Sequence, residues 1–203
     1  MKLYLSVIGI AMALISLFNI TFGVANVSYV ISAVVVCTAL QFVFDGIIAI
    51  IINKTPDRFF GVDNPRFEVT ERERSLYIKL GVRHWSDKVW ELGGLGGFSK
   101  KTIKEPNNPE YIEKYIIECN KGVVTHRLSY FVGFLVMLPL DGVTAYSIAL
   151  PVALVNLFLN ILPTIVLRHN TPMLHSVLAR LRRKRTPEEK AYCEAESEEK
   201  IYS

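Results

Sequence analysis

Glu118 and His126 are the residues whose types and spacing best suit acid–base chemistry. Eight positions along a continuous helix turn the second group about 80° from the first, at about 100° per residue. Both side chains could then border one pocket, with Glu118 placed to orient the imidazole. An imidazole oriented by a carboxylate makes a general base, because the pair holds one tautomer and stabilises the imidazolium. The same residues also read as an interfacial His126–Arg127 pair that only bounds an apolar span. Both readings stand at this level.

Two further clusters carry polar chemistry. Arg83, His84, Trp85 and Asp87 combine a guanidinium with an indole, which together can hold a phosphate or a planar ring. They equally fit an aromatic anchor at a membrane interface flanked by extended charged side chains. Arg168, His169 and Asn170 place cations where a helix C-terminus would favour them. Asn156 and Asn160 lie one turn apart just before them, in an apolar run where they need hydrogen-bond partners. Asp45 sits inside another apolar run, where an ionisable group costs about 2.5–3.5 kcal/mol to insert. It therefore points either into the bundle or toward headgroup water.

Other catalytic signatures are absent from the sequence. It holds no G-x-S-x-G, H-x-x-x-x-D, H-E-x-x-H, Walker A or His-box series, and four histidines are too few for a multi-His metal centre. No metal or bound cofactor is expected. Cys37, Cys119 and Cys193 follow no ligand spacing and read as free thiols. The glycines at 93, 94, 96 and 97 lack the strand that a dinucleotide fingerprint requires, so they mark a loop or re-entrant turn.

The elements that must position these residues are apolar helices. Runs near 3–24, 27–52, 122–140 and 143–167 each approach the ~20 residues needed to span a bilayer. Of the 23 Lys and Arg, all but Arg127 fall outside these runs, in the 53–121 segment, at Lys2 and from Arg168 onward. Basic residues near span ends stay cytoplasmic. The pattern predicts an all-α polytopic protein with four transmembrane helices in two hairpins and both termini cytoplasmic. Interfacial amphipathic helices lie on that same side. The run after Lys2 is longer than a signal-peptide core and lacks an A-x-A site, so it reads as a retained span. One membrane domain covers 1–176, and 177–203 forms a basic then acidic tail, disordered in part. Membrane lipids are the expected surroundings, and no nucleic-acid partner is implied.

Within the segment between the pairs, Pro56 stops the second span. Thr70 and Glu73 form a capping box for a short helix that Gly81 ends, and Asn108–Pro109–Glu110 opens another helix running toward His126. Gly122 is the expected bend in that helix. The last span is expected to end near Pro172.

Several of these stretches together resemble the glycosyl-4,4'-diaponeurosporenoate acyltransferase-like membrane proteins. Leu80–Gly81–Val82–Arg83–His84–Trp85–Ser86–Asp87 resembles their G-I-K/R-x-W-K-D stretch, and Phe98–Ser99–Lys100–Lys101 their FSKK. Tyr111–Ile112, Tyr115–Ile116–Ile117–Glu118–Cys119 and His126 are similar to Y-L-x-x-F-I-x-E-T/S-C…H. Asn160–Ile161–Leu162–Pro163 through Arg168–His169–Asn170 is similar to the N-L-P…Q-R-Y-N-R ending. The likeness runs from Arg66 to Leu174. It departs at Ser86 (Lys in the family), Trp90 (Pro) and Val123 (an acid).

The resemblance implies a membrane-bound acyltransferase of carotenoid-glycolipid type, esterifying a hydroxyl of a lipid-linked acceptor at the cytoplasmic leaflet of the cell membrane. Acyl-CoA would be the co-substrate. By position, His126 and Glu118 are the implied catalytic pair, and Arg83, Trp85, Asp87, Asn160, Arg168 and Asn170 the implied substrate-binding residues. The alternative is a non-enzymatic membrane protein that binds lipid or a partner, which Val123 and Ser86 favour. A methyltransferase or reductase using the Arg168–Asn170 end is the third reading.

Overall fold

Asn26, Thr70 and Asn108 each sit just before a helix, and each caps it in the computed structural model, which describes residues 2–89 and 103–184. The sequence folds into α1 (Lys2–Thr21), α2 (Val27–Lys54), α3 (Glu71–Lys79), α4 (Val82–Trp85), α5 (Pro109–Val132), α6 (Gly142–Thr144) and α7 (Leu150–Lys184). Short 3-10 turns join them, and a π-helical turn at Ala145–Ala149 leads into α7. Among the described residues every element is helical.

The start signals act as expected. The Asn108 side chain accepts from the amides of Glu110 and Tyr111, and Pro109 takes the first helical position of α5. The Thr70 hydroxyl accepts from the Glu73 amide at 3.2 Å. The Glu73 carboxylate, expected to complete the capping box, is instead claimed by Arg168 and Tyr77. Gly81 ends this region at φ 60°, a left-handed conformation that disfavours side chains. Pro56 follows the end of α2 at Lys54, as its missing amide requires.

Among the described residues three helical stretches are long and apolar enough to cross a membrane: Tyr4–Thr21, Val27–Lys54 and Gly142–Lys184. Their outward side chains, among them Leu5, Ile10 and Leu14 on α1 and Val35, Phe42 and Ile50 on α2, are exposed hydrophobics suited to lipid contact. These apolar helices make the chain a membrane protein by composition. The run expected at 122–140 is divided between α5 and a 3-10 turn at Gly133–Met137, and it carries His126 and Arg127. No bend interrupts α5 at Gly122, which lies inside one continuous helix.

The main core forms where α5 and α7 run antiparallel. Ile112, Tyr115, Ile116, Cys119 and Val123 of α5 pack against Leu167, Leu174, Leu178 and Leu181 of α7. Val123, which replaces an expected acid, is 1% exposed in this apolar cluster. An acid at that position would be buried without a partner. The same cluster explains why α7 continues past Pro172 to Lys184. Leu174, Leu178 and Leu181 bury against α5, which offsets the hydrogen bond lost at the proline. Arg182 pairs with Glu113 at 2.9 Å on the outer edge.

The chain between α2 and α3 folds back beneath this pair. Phe60 and Phe67 join Ile48 and Ile52 of α2, with Ile117 and Val124 of α5 packed against them. The Asn120 amide donates to the Phe60 carbonyl at 2.9 Å, and Lys121 reaches Asp57 at 2.5 Å. The glycines at 93–97, Trp90, Phe98–Lys101, Cys193 and the acidic tail lie outside the described residues.

Candidate functional site

Pro163 shapes the site through what it lacks. Without an amide hydrogen it leaves the carbonyl of Leu159, four residues back, without its helical donor. The Tyr4 hydroxyl of α1 donates to that carbonyl. An unsatisfied carbonyl is costly in an apolar medium, so Tyr4 fastens α1 to α7 at this point. The junction borders a cavity of about 110 Å³ between α1, α2 and α7, with His126 reaching in from α5. Its walls are mainly apolar, with Met12, Ile15, Phe42, Val152 and Val155 along them.

Polar groups converge on one part of this wall. His126 Nδ1 lies 2.7 Å from Asn160 Oδ1. Asn160 Nδ2 donates to the Asn156 carbonyl at 3.0 Å, to Asn156 Oδ1 at 3.1 Å and to Asp45 Oδ2 at 3.4 Å. Those three acceptors fix which way the Asn160 amide faces. With its oxygen toward His126, a neutral imidazole carries its proton on Nδ1 and keeps Nε2 as the basic nitrogen. The partner that sets the tautomer is Asn160 of α7. Glu118 lies about 12 Å further along α5 (at 1.5 Å per residue), hydrogen-bonded to Lys121 at 3.2 Å and outside the cavity wall.

Several buried polar atoms here lack a hydrogen bond among the described residues. They are Asp45 Oδ1, Asn156 Nδ2, Gln41 Oε1 and Ser129 Oγ. The close approach of two of them depends on Gly133. A β-carbon there would meet Asn156 Nδ2 at 2.9 Å and Gln41 Oε1 at 3.0 Å. Gln41 Nε2 donates to the Gly133 carbonyl at 2.7 Å, tying α2 to the end of α5.

The remaining expected residues fall elsewhere. Arg168 is buried and its guanidinium is consumed within the protein. Nε and Nη2 engage the Glu73 carboxylate at 2.8 and 2.5 Å, while Nη1 and Nη2 donate to the carbonyls of Phe67 and Glu68 at 2.8 and 2.9 Å. Arg168, expected among the substrate-binding residues, here clamps α7 to α3. Burial pushes the Glu73 carboxyl up, but hydrogen bonds from Arg168 and Tyr77 outweigh it and hold the group below its ordinary value. Burial, with the Glu73 charge beside it, pushes the Tyr77 hydroxyl up to about 12. Lys121 is also fully engaged: burial lowers it, but Asp57 and Glu118 hold it above its ordinary value.

Trp85 donates its indole N–H to the Leu80 carbonyl at 3.1 Å and packs beside Tyr77, Val82 and Val166. Arg83 and Asp87 are exposed on the same short stretch. Asn170 is half-buried on α7, about 15 Å beyond Asn160 at 1.5 Å per residue. Of the eight expected site residues, the cavity therefore gathers His126 and Asn160. It adds Tyr4, Gln41, Asp45 and Asn156. Among the described residues no group of three His, Cys, Asp or Glu could hold a metal ion.

These features define an all-helical protein with membrane-length apolar helices and a polar cluster set in an apolar cavity. The chain belongs to the glycosyl-4,4'-diaponeurosporenoate acyltransferase family, whose model matches residues 56–180, more than half of the 203 residues. The match contains His126, Asn156 and Asn160, whereas Tyr4, Gln41 and Asp45 precede it. Comparison with curated proteins gave no match, and comparison with solved structures gave none either.

Proposed function

We propose that this protein is a membrane-embedded O-acyltransferase. It moves a fatty acyl group from a thioester donor, acyl-CoA, to a hydroxyl of a lipid-linked, glycolipid-type acceptor at the cytoplasmic leaflet. Family membership supports the reaction class. The observation that carries the site is the His126–Asn160 hydrogen bond inside an apolar cavity. It gives a tautomer-defined imidazole next to walls suited to an acyl chain.

In this reading His126 Nε2 removes the acceptor hydroxyl proton. The acceptor oxygen bonds to the thioester carbonyl carbon, the C–S bond breaks, and the proton on Nε2 passes to the departing thiolate. The developing oxyanion needs a donor, and the Asn156 amide of the cavity wall, whose buried Nδ2 has no hydrogen bond among the described residues, is the candidate. Arg83, exposed on α4, is a cation available to donor phosphates, whereas Arg168 is engaged by Glu73.

The topology that accompanies this reading has four crossings, two apiece from α1–α2 and from the α5–α7 region. Both termini and the 53–121 segment face the cytoplasm, following the charge asymmetry. The predominantly apolar cavity wall also favours a second reading, lipid binding without transfer.

The test uses membranes containing the full chain, radiolabelled palmitoyl-CoA and a synthetic monoglucosyl lipid. The proposal expects label in an alkali-labile ester of the acceptor. Label that binds the protein without reaching any lipid would overturn it in favour of lipid binding.

A further inference from the structure

Asp45 lies about 10 Å in from Ile52 along α2 (at 1.5 Å per residue), in a helix otherwise apolar around it. Carboxylates are rare at such positions and persist where they serve a site. Its Oδ2 receives Asn160 Nδ2 at 3.4 Å, and its Oδ1 has no hydrogen bond among the described residues. The groups that face it are Tyr4 from α1, Ser129 and His126 from α5, and Asn156 and Asn160 from α7. No Lys or Arg lines the cavity among the described residues. His126 is therefore the one neighbour able to gain a positive charge.

We propose that Asp45 is a positioning residue for His126. Through Asn160 it helps fix the Nδ1–H tautomer, and its negative charge faces the imidazolium that forms during transfer. The inference rests on the acyltransferase reading above. Asp45 precedes the segment that matches the family model, so the assignment comes from the contacts alone.

The arrangement has a defined order. Asp45 accepts from the Asn160 amide nitrogen, the Asn160 oxygen accepts from His126 Nδ1–H, and Nε2 is left as the base. In a serine-hydrolase triad the carboxylate touches the imidazole directly. Here an amide is interposed, which suits an apolar setting. With a neutral imidazole the site avoids a direct buried ion pair. Once Nε2 takes a proton, the carboxylate supplies the opposite charge from the far side of the Asn160 amide.

That geometry sets the expected size of the effect. Asp45→Asn keeps the shape and an acceptor for Asn160 while removing the charge. With the charge one amide removed from the imidazole, its loss corresponds to a fall in kcat on the order of 10-fold or more. KM should stay within about twofold because Asp45 acts on the transition state. Asp45→Glu should recover most of the rate.

The experiment uses the full chain in lipid nanodiscs with palmitoyl-CoA and the monoglucosyl lipid, together with ¹⁵N-histidine spectra of the same samples. The wild type should show His126 protonated on Nδ1. Asp45→Asn should move the His126 nitrogen resonances, Asp45→Glu should return them, and those of His84, His169 and His175 should stay in place. An Nε2–H tautomer in the wild type, unmoved His126 resonances, or an Asp45→Asn variant at full kcat would overturn the proposal. If the wild type transfers no acyl group, the acyltransferase reading fails, and the ¹⁵N spectra still decide the role of Asp45.

Discussion

Glu73→Gln separates two roles for Arg168, a clamp inside the protein and a ligand for substrate. The guanidinium makes two hydrogen bonds to the Glu73 carboxylate, at 2.8 and 2.5 Å. A Gln side chain keeps one acceptor, loses the charge and turns an NH₂ donor toward the guanidinium. Hydrogen bonds to charged groups contribute about 1.5–3 kcal/mol each. Breaking one member of a buried pair costs about 3–5 kcal/mol. The Arg168 and Glu73 side chains are 5% and 21% exposed, so the pair is buried at one end and partly wet at the other. The lower part of that range applies, about 3 kcal/mol.

The assay is guanidinium chloride unfolding in detergent micelles, closed into a cycle with Arg168→Met and the double variant. The cycle should return a coupling of about 2 kcal/mol or more. The pH dependence supplies a second arm. Glu73 is held below its ordinary value, with burial acting upward and the Arg168 and Tyr77 hydrogen bonds outweighing it. Its stabilising contribution is therefore full above the unfolded value of about 4.3. That contribution is lost as pH falls through the folded value. Glu73→Gln should remove this part of the acid sensitivity. A stability change below about 0.5 kcal/mol, together with tighter palmitoyl-CoA binding, would refute the clamp and return Arg168 to substrate.

Gly133→Ala should destabilise the protein by about 1–3 kcal/mol and reduce transfer. Its β-carbon would press on Asn156 and Gln41 at 2.9 and 3.0 Å, and unchanged unfolding and activity would argue against that packing. Tyr4→Phe should cost about 1 kcal/mol in the wild type but almost nothing in Pro163→Ala, where the restored amide can reach the Leu159 carbonyl. Equal losses in both backgrounds would deny the proline–tyrosine link. Lys121→Met should lower the unfolding midpoint by the equivalent of about 1–3 kcal/mol, between the exposed and buried limits for ion pairs. Lys121 is 8% exposed while Asp57 is 57% exposed, and a neutral outcome would show that water satisfies both carboxylates.

Local signals in the sequence carried well into the fold. Thr70, Gly81, Asn108 and Pro109 act within a few residues of themselves, so their caps and stops could be read directly. Pro172 misled because its effect depends on distant leucines. The α5 face that Leu174 and Leu178 bury against is some sixty residues away in sequence. The family resemblance was legible from short motifs and is shown by the match over residues 56–180.

The site was legible in part. Asn156 and Asn160 announced a need for partners, and His126 and Asp45 were conspicuous as polar groups in apolar runs. What sequence spacing could not supply was the pairing across helices. Glu118 is eight residues from His126, yet Asn160, thirty-four residues away, is the group at Nδ1. Tyr4 was missed, although a proline inside a helix always frees one carbonyl and so implies some donor. Arg168 looked like a ligand because its charge was visible and Glu73, ninety-five positions earlier, was not visibly its partner.

The most direct test compares acyl transfer by His126→Ala and Glu118→Gln in nanodiscs, with radiolabelled palmitoyl-CoA and the monoglucosyl lipid. Loss of a general base predicts a fall of about 10²–10⁴-fold for His126→Ala. Glu118→Gln should stay close to the wild-type rate, since that carboxylate serves Lys121 outside the cavity. Full transfer by His126→Ala would contradict the account.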